Sequence, residues 1–323
     1  MKRVVALEPG GPEKLTIVDV PPLTPGPRDV IVSLVASGVN FIDIYFRKGL
    51  YKAETPILLG SEGAGVVARV GSDVTEFDPG DRVAFAMFRG SYAEEVAIPA
   101  AQLVEIPEDV SFQTAAAVML QGMTAHYLTQ STFPLGVGQT CLVHAAAGGA
   151  GGMIVQMAKL AGARVIGTTS TEAKAEEARA LGAEHVILYT EQDFETEVKR
   201  LTDGRGVDVV YDSVGQATFD KSLKVLRPRG LLALFGQSSG PVAPIDPTIL
   251  NTRGSVFLTR PSLAHYIATR DELLWRASEL MAHVASGALK VRVSRVYPLA
   301  DAAAAHRDLE SRTTTGALVL SVK

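Results

Sequence analysis

A single cysteine, Cys141, stands in a chain of 323 residues. One thiol excludes an intrachain disulfide, and it leaves neither a cysteine-rich structural zinc lobe nor a Cys/His catalytic zinc site to build. It fits a reducing compartment, and Cys141 itself reads as a small buried apolar residue in a strand. The histidines (His126, His144, His185, His265, His283 and His306) do not form a close metal-ligand pattern, and His144, at the end of a buried strand, reads as a core histidine. No tyrosine is followed four positions later by lysine, so the Tyr-x-x-x-Lys proton relay is missing. No uninterrupted apolar run approaches the ~20 residues that span a bilayer. The opening "MKRVVALEPGGPEKL" lacks the apolar core of a signal peptide. Lysine and arginine do not cluster and the net charge is −4, so neither nucleic acid nor a membrane surface is an expected partner. A cytoplasmic location is the expectation.

What is present is an ordinary globular composition, 47% apolar and 20% charged, long enough that two domains are expected rather than one core. From Met1 to about Leu120, short runs such as "DVIVSLVASGV", "GAGVVARVG" and "DRVAFAM" alternate with the turn chemistry of "TPGPRD" and "EFDPGD". That predicts a compact, mostly antiparallel β domain. From about Thr124 the rhythm changes. "TCLVHA", "ARVIGT", "HVIL", "VDVVYDS", "LLALFG" and "SVFL" are short apolar runs, mostly separated by helix-like segments. Six strands in this arrangement predict a parallel sheet covered by helices, the α/β Rossmann architecture. The closing helix, strand, helix and strand return to the first domain, so the nucleotide domain is inserted in a discontinuous one. The expected limits are 1–123, 124–256 and 257–323.

The densest signal is "HAAAGGAGGMIVQMAKLAGA", residues 144–163. A strand runs into Ala146-Ala147-Gly148-Gly149-Ala150-Gly151 and then a helix, giving the spacing of G-x-G-x-x-G with alanine first. In such a turn Gly148 lets backbone approach a pyrophosphate, and Gly151 lets helix and strand pack closely. The helix dipole favours the anion by ~0.3–1 kcal/mol when exposed. A tight βα turn alone would also want glycine, but the position after the first of six strands favours a dinucleotide.

An NAD-preferring site commonly ends its second strand in Asp or Glu, which accepts from the ribose 2′-OH. Here "GTTSTEAK" offers hydroxyls at Thr168, Thr169 and Ser170, with Lys174 one helical turn on, donors that suit a 2′-phosphate. The cofactor expected is therefore NADPH. Alternatively Ser170 or Thr171 caps a helix, Lys174 is a solvated lysine, and Glu172 swings in to the ribose. Without metal or proton relay, the chemistry is restricted. Reducing an isolated ketone builds an alkoxide that needs a Lewis acid or strong donor. Reducing a quinone builds a delocalised phenolate that water protonates, and an activated C=C is intermediate in demand. Quinones or conjugated enones are the expected small-molecule substrates.

The chain resembles the zinc-independent quinone oxidoreductases, the zeta-crystallin-like group of the medium-chain dehydrogenase/reductase superfamily, over nearly its whole length. The markers are "GGPEKL" (10–15), "GVNFIDIYFRKGLY" (38–51), "GSEGAGVVARVG" (60–71), "HAAAGGAG" (144–151), "YDSVG" (211–215), "FGQSSG" (235–240), "LTRPSL" (258–263) and "ESRTTTG" (310–316). Zinc-dependent relatives carry a cysteine in the first region and Gly-His-Glu in the second, where this chain has Val39-Asn40 and Gly60-Ser61-Glu62. The resemblance implies a GroES-like catalytic domain, a Rossmann domain with NADPH in the cleft between them, no metal, and a homodimer. It places Asn40 and Tyr45 by the nicotinamide, with Thr124 and Tyr127 lining the same cleft. Gly148, Gly149, Ala150 and Gly151 match the pyrophosphate turn. Ser170, Lys174, Tyr189 and Arg312 match positions around the 2′-phosphate. Ser213, Phe235, Gln237 and Ser238 follow the fourth and fifth strands along the cofactor's path, and Phe257 and Leu258 match a backbone segment facing the carboxamide.

Each has a plainer alternative: Tyr45 and Tyr127 as core aromatics, Asn40 as a turn cap, Arg312 as a surface arginine. Tyr51 is a stacking wall for a quinone, a proton donor to an enolate, or an exposed loop tyrosine. Asn40, Tyr45 and Tyr51 are the expected catalytic-pocket residues. Gln237 and Gln121 depart from the asparagine and lysine common at those places, the second altering charge near the substrate. The alternatives to quinone reduction are an alkenal, enone or enoyl reductase of the same fold, and a non-catalytic NADPH-binding structural or RNA-binding protein.

Overall fold

Short apolar runs, with glycine and proline at the breaks, build the first part of the chain from β1 (Lys2–Ala6), β2 (Leu15–Asp19), β3 (Asp29–Val39), β4 (Ile57–Leu58), β5 (Glu62–Val70), β6 (Arg82–Ala86), β7 (Glu95–Pro99) and β8 (Val104–Glu105). Helices α1 (Phe41–Arg47) and α2 (Phe112–Tyr127) complete it. The computed structural model describes residues 1–322. In it the chain divides into two units: Met1–Met123 together with the chain from Ile267 onward, and Thr124–Tyr266.

The second unit alternates strand and helix: β9 (Thr140–Val143), α3 (Gly149–Leu160), β10 (Arg164–Thr169), α4 (Glu172–Leu181), β11 (His185–Leu188), α5 (Phe194–Leu201), β12 (Val207–Asp212), α6 (Phe219–Lys224), β13 (Leu226–Leu234), α7 (Thr248–Thr252), β14 (Phe257–Thr259) and α8 (Leu263–Tyr266). Its strands lie in the order β11-β10-β9-β12-β13-β14, all parallel. β9 and β12 are buried at every position, as a sheet covered on both faces requires. Leu142, Ile166, Val210 and Leu232 from four neighbouring strands pack with Phe194, Phe219 and Leu223 of the helices. Order reverses between β9 and β12, the switch point at which open α/β sheets take their ligands.

The chain then returns to the first unit through α9 (Arg270–Ala285), β15 (Val293–Pro298), α10 (Ala302–Glu310) and β16 (Ala317–Ser321). Thr269 caps α9, its hydroxyl accepting from Glu272 N–H at 3.2 Å while the Glu272 carboxylate reaches back to Thr269 N–H at 3.3 Å. The larger sheet of this unit runs β15-β16-β3-β5-β6-β8 with β7 also on β3, and β2-β1-β4 form a smaller one. Pairing is antiparallel throughout except between β15 and β16.

One expected limit needs correction. A break at 256/257 would give β14 to the returning part, but Phe257, Leu258 and Thr259 pair in register with Leu231, Leu232 and Ala233 of β13. Leu258 packs on the core of that sheet, so the nucleotide unit continues to Tyr266. Among the described residues, no helix is long and apolar enough to cross a membrane.

Candidate functional site

The glycine turn is shaped by contacts that leave no room for side chains. Ala145 takes a left-handed conformation, φ 52°, at the end of β9. That carbonyl accepts from Gly148 N–H at 2.8 Å. A Cβ on Gly151 would lie 2.2 Å from the Ala145 oxygen and 3.3 Å from Ala146 Cα; one on Gly148 would lie 3.1 Å from the same oxygen. Gly148 is the N-cap of α3, with Gly149, Ala150 and Gly151 in its first turn. The N–H groups of a first turn have no helical acceptor, so they are available to an anion. Gly167 on β10 extends the close packing, since a Cβ there would meet Ala146 Cβ at 2.7 Å.

Four further predicted residues follow the ends of neighbouring parallel strands. Ser170, half-buried, follows β10; Thr171, not Ser170, caps α4, its Oγ1 accepting from Lys174 N–H at 3.4 Å. The helix-cap alternative thus falls on Thr171. Lys174 is half-buried rather than fully solvated, and burial holds its ammonium below the usual lysine range. Tyr189 follows β11 and is 48% exposed. Ser213 follows β12 in a turn organised by buried Asp212, whose Oδ1 accepts from Val214 N–H at 2.7 Å and Gly215 N–H at 3.0 Å. Phe235 N–H donates to the Asp212 carbonyl at 2.9 Å, and Ser238 N–H to the Ser213 carbonyl at 3.1 Å. The ends of β12 and β13, with Gln237 half-buried beside them, therefore form one cross-linked rim. Phe257 is 61% exposed on edge strand β14.

Thr124 is buried on α2, and Tyr127 is buried and stacked on Tyr266 with ring centroids 4.3 Å apart. The core-aromatic alternative describes Tyr127. His144 is a core histidine: Ser222 Oγ donates to Asp212 Oδ2 at 3.0 Å, so His144 Nε2–H donates to Ser222 at 2.9 Å and Nδ1 accepts from Thr168 Oγ1 at 3.0 Å. Burial lowers its pKa and keeps the ring neutral. Cys141 is buried, its thiol pushed up to about 12.

In the other unit, Asn40 caps α1 by exchanging hydrogen bonds with Asp43: Asn40 N–H donates to the carboxylate Oδ2 of Asp43, and Asp43 N–H to the Asn40 carbonyl, each at 3.1 Å. The turn-cap alternative holds, but the Asn40 side chain has further work. Its Nδ2 donates to Glu62 Oε1 at 2.6 Å, and its Oδ1 accepts from Gln121 Nε2 at 3.0 Å. Tyr45 is buried on α1 and meets Tyr51 edge-on at 5.3 Å; Tyr51 in turn meets Phe46 at 5.5 Å. Tyr51 is half-buried in this aromatic cluster, so it is not an exposed loop residue. Arg312 lies after α10 in a left-handed conformation, φ 58°.

Behind Asn40 lies a buried polar chain that sequence reading missed. Glu310 pairs with Arg47 Nη2 at 2.8 Å, and Arg47 Nη1 donates to His306 Nδ1 at 3.0 Å. That leaves the proton on His306 Nε2, 3.0 Å from Tyr92 Oη, and Tyr92 O–H points to Asp43 Oδ2 at 3.5 Å. Asp43 Oδ1 also accepts from Ser61 Oγ at 2.7 Å. Burial, with Arg47 beside it, lowers the His306 pKa to about 3. Burial raises Asp43 to about 6 against hydrogen bonds from Ser61, Asn40, Gly60 and Tyr92. One signal was available: Asp43, Glu62 and His306 each sit at buried positions of otherwise apolar patterns, where a charge survives only with partners. Among the described residues, no group of three or more His, Cys, Asp or Glu side chains is arranged to hold a metal ion.

A six-stranded parallel sheet with a glycine-lined turn at its switch point, joined to an antiparallel β unit, defines a dinucleotide-dependent dehydrogenase or reductase. Comparison narrows the class. Residues 149–274 match the family model "Zinc-binding dehydrogenase", and residues 26–108 match "Alcohol dehydrogenase GroES-like domain". A quinone oxidoreductase of Pseudomonas aeruginosa is 46% identical over 321 residues, 99% of each chain. A 2-haloacrylate reductase of a Burkholderia species is 44% identical over 319 residues, 96% of each. The solved structure of Escherichia coli quinone oxidoreductase complexed with NADPH superposes with a TM-score of 0.98 at 44% identity, covering 99% of this chain and all of that one. The chain belongs to the quinone oxidoreductase family of the medium-chain dehydrogenase/reductase superfamily.

Proposed function

We propose that this protein is a cytoplasmic, homodimeric NADPH:quinone oxidoreductase that works without zinc. The observation that carries this is the turn at Gly148–Gly151, where a Cβ on Gly151 would strike the Ala145 oxygen at 2.2 Å and the opening of α3 is left to backbone N–H groups. That bareness fits a diphosphate. Ser170 and half-buried Lys174 supply a hydroxyl and a cation for the 2′-phosphate, joined by Tyr189 and by Arg312. Ser213, Phe235, Gln237 and Ser238 support the middle of the cofactor, and Thr124, Phe257 and Leu258 its nicotinamide end. NADPH bound there supplies reducing equivalents from nicotinamide C4.

Asn40, Tyr45 and Tyr51 shape the acceptor's place. Where zinc-dependent relatives have cysteine and histidine, Asn40 and Ser61 offer amide and hydroxyl groups already engaged with Glu62 and Asp43. They are poor ligands for zinc. A quinone suits such a site, because its reduced form spreads negative charge over the ring and takes its proton from water. The homodimer is supported by Phe257, a large apolar side chain exposed on the edge strand of the parallel sheet.

The 2-haloacrylate reductase among the relatives favours a second reading, reduction of activated C=C bonds, for which half-buried Tyr51 is a candidate proton donor. A paired screen decides between them: NADPH and NADH against quinones and conjugated enones, followed by loss of nicotinamide absorbance. Faster turnover with NADPH and quinones is expected. Enone-only turnover would transfer the function to the second reading, and cofactor binding with no acceptor would indicate a binding protein.

A further inference from the structure

Glu62, Asn40 and Gln121 form a chain in which each group fixes the orientation of the next. Glu62 Oε2 is held by Leu120 N–H at 2.6 Å. Glu62 Oε1 accepts, so Asn40 turns Nδ2 toward it; Asn40 Oδ1 then faces Gln121, which must turn Nε2 inward. Gln121 Oε1 is left at the far end, buried and without a hydrogen-bond partner, on a side chain only 8% exposed. An orphaned buried acceptor is unfavourable and calls for an explanation such as a bound ligand. A proton on Glu62 Oε1 reverses every link. Glu62 then donates to Asn40 Oδ1, Asn40 Nδ2 donates to Gln121 Oε1, and Gln121 presents Nε2–H₂ at the far end. The number of internal bonds is unchanged, so one proton converts the far end of the chain from acceptor to donor.

We propose that Gln121 meets the carbonyl oxygen of the acceptor substrate, and that Glu62, acting through Asn40, is a positioning residue that sets whether Gln121 donates to that oxygen. The proposal rests on the reading above that Asn40 borders the reacting end. Gln121 transfers no proton: it donates a hydrogen bond to an oxygen gaining negative charge, which is where a donor contributes most. The donor form is the competent one.

Burial drives Glu62 up to about 8; the Asn40 and Leu120 hydrogen bonds oppose this, and the charge of Asp43 on α1 adds to it. The other titratable neighbour is Tyr92, whose phenol is held well above its usual range by burial and by the charges of Asp43 and Glu62. β3 and the Ser91 segment contribute the neutral hydroxyls of Ser37 and Ser91, both bonded to the Glu62 carbonyl.

The test follows kcat/KM for a non-titrating quinone from pH 6 to 9.5 in wild type, Glu62→Gln and Gln121→Met. Wild type should fall about tenfold or more on the alkaline side, the scale of one hydrogen bond to a charged group; both variants should be flat across that range. A Gln121→Met enzyme that keeps the full step would show Glu62 acting by charge alone and would overturn the proposal. A second measurement needs no variant, cofactor or acceptor. In the wild-type protein, the infrared carboxyl band of Glu62 and the side-chain ¹⁵N resonance of Gln121 should titrate with one midpoint. Independent midpoints, or a Gln121 resonance that does not move, would contradict the relay. Co-titration in a protein that reduces no quinone would leave the relay standing while the functional reading fell.

Discussion

A Cβ placed on Gly151 would lie 2.2 Å from the carbonyl oxygen of Ala145, a distance no real Cβ contact adopts. The obstacle is backbone, which cannot swing aside as a side chain can. Gly151→Ala should therefore push α3 away from β9, costing about 1–3 kcal/mol of stability by overpacking and weakening NADPH binding. Gly136→Ala, where a Cβ meets nothing within 4 Å, serves as the control and should leave both unchanged. Chemical denaturation and cofactor titration of the pair would check this.

Lys174 carries the expected preference for the phosphorylated cofactor. Lys174→Ala should raise KM for NADPH about 10- to 100-fold, the scale of a charge-assisted bond, and leave KM for NADH nearly unchanged. Equal losses with both cofactors would remove Lys174 from the 2′-phosphate.

Tyr51 separates the two reductase readings. Tyr51→Phe keeps the ring that packs on Tyr45 and Phe46 but removes the acid. Quinone turnover should stay within about twofold of wild type, whereas enone turnover should drop by about 10²-fold if the hydroxyl is a general acid there. A comparable loss with quinones would give the hydroxyl a direct part in both.

His306 should make the protein acid-labile. Unfolded, its imidazole takes a proton near the ordinary 6.5; folded, it resists protonation down to about 3. Between those values the unfolded state binds more protons, so the contribution of His306 is complete above pH 6.5 and is lost as pH falls toward 3. Asp43, raised to about 6, works the other way: its contribution is complete below its ordinary 3.8 and is lost as pH rises through 6. His306→Gln should thus lose less stability than wild type between pH 7 and pH 5 in urea unfolding. Parallel curves for the two proteins would mean that the buried chain tolerates a charged imidazole.

Much of the parallel sheet was legible because its strands are short apolar runs set apart by helical segments; "HVIL" is β11 residue for residue, and in the antiparallel sheet "DVIVSLVASGV" is β3. The limits blurred where local chemistry imitates a turn. "LRPRG" at 226–230 has the composition of a loop, yet it is the irregular start of β13, with Arg229 at φ 61° and a register shift against β12. β14 is three residues long, too short for periodicity to claim it, and only its pairing with β13 assigns it to the nucleotide unit. The glycine turn could be read because glycine is the only residue that fits there. The Glu62–Asn40–Gln121 chain and the Arg47–His306–Tyr92–Asp43 chain could not, because directly bonded members lie up to 259 positions apart and only tertiary packing makes them neighbours.

Everything in the proposed function depends on the peptide turn at Gly148–Gly151 holding the cofactor's diphosphate. A crystal structure of the protein with NADPH tests it most directly. Diphosphate oxygens are expected within hydrogen-bonding distance of the N–H groups that open α3, with the 2′-phosphate at Ser170 and Lys174. A cofactor whose diphosphate lies elsewhere on the sheet, with that turn untouched, would contradict it.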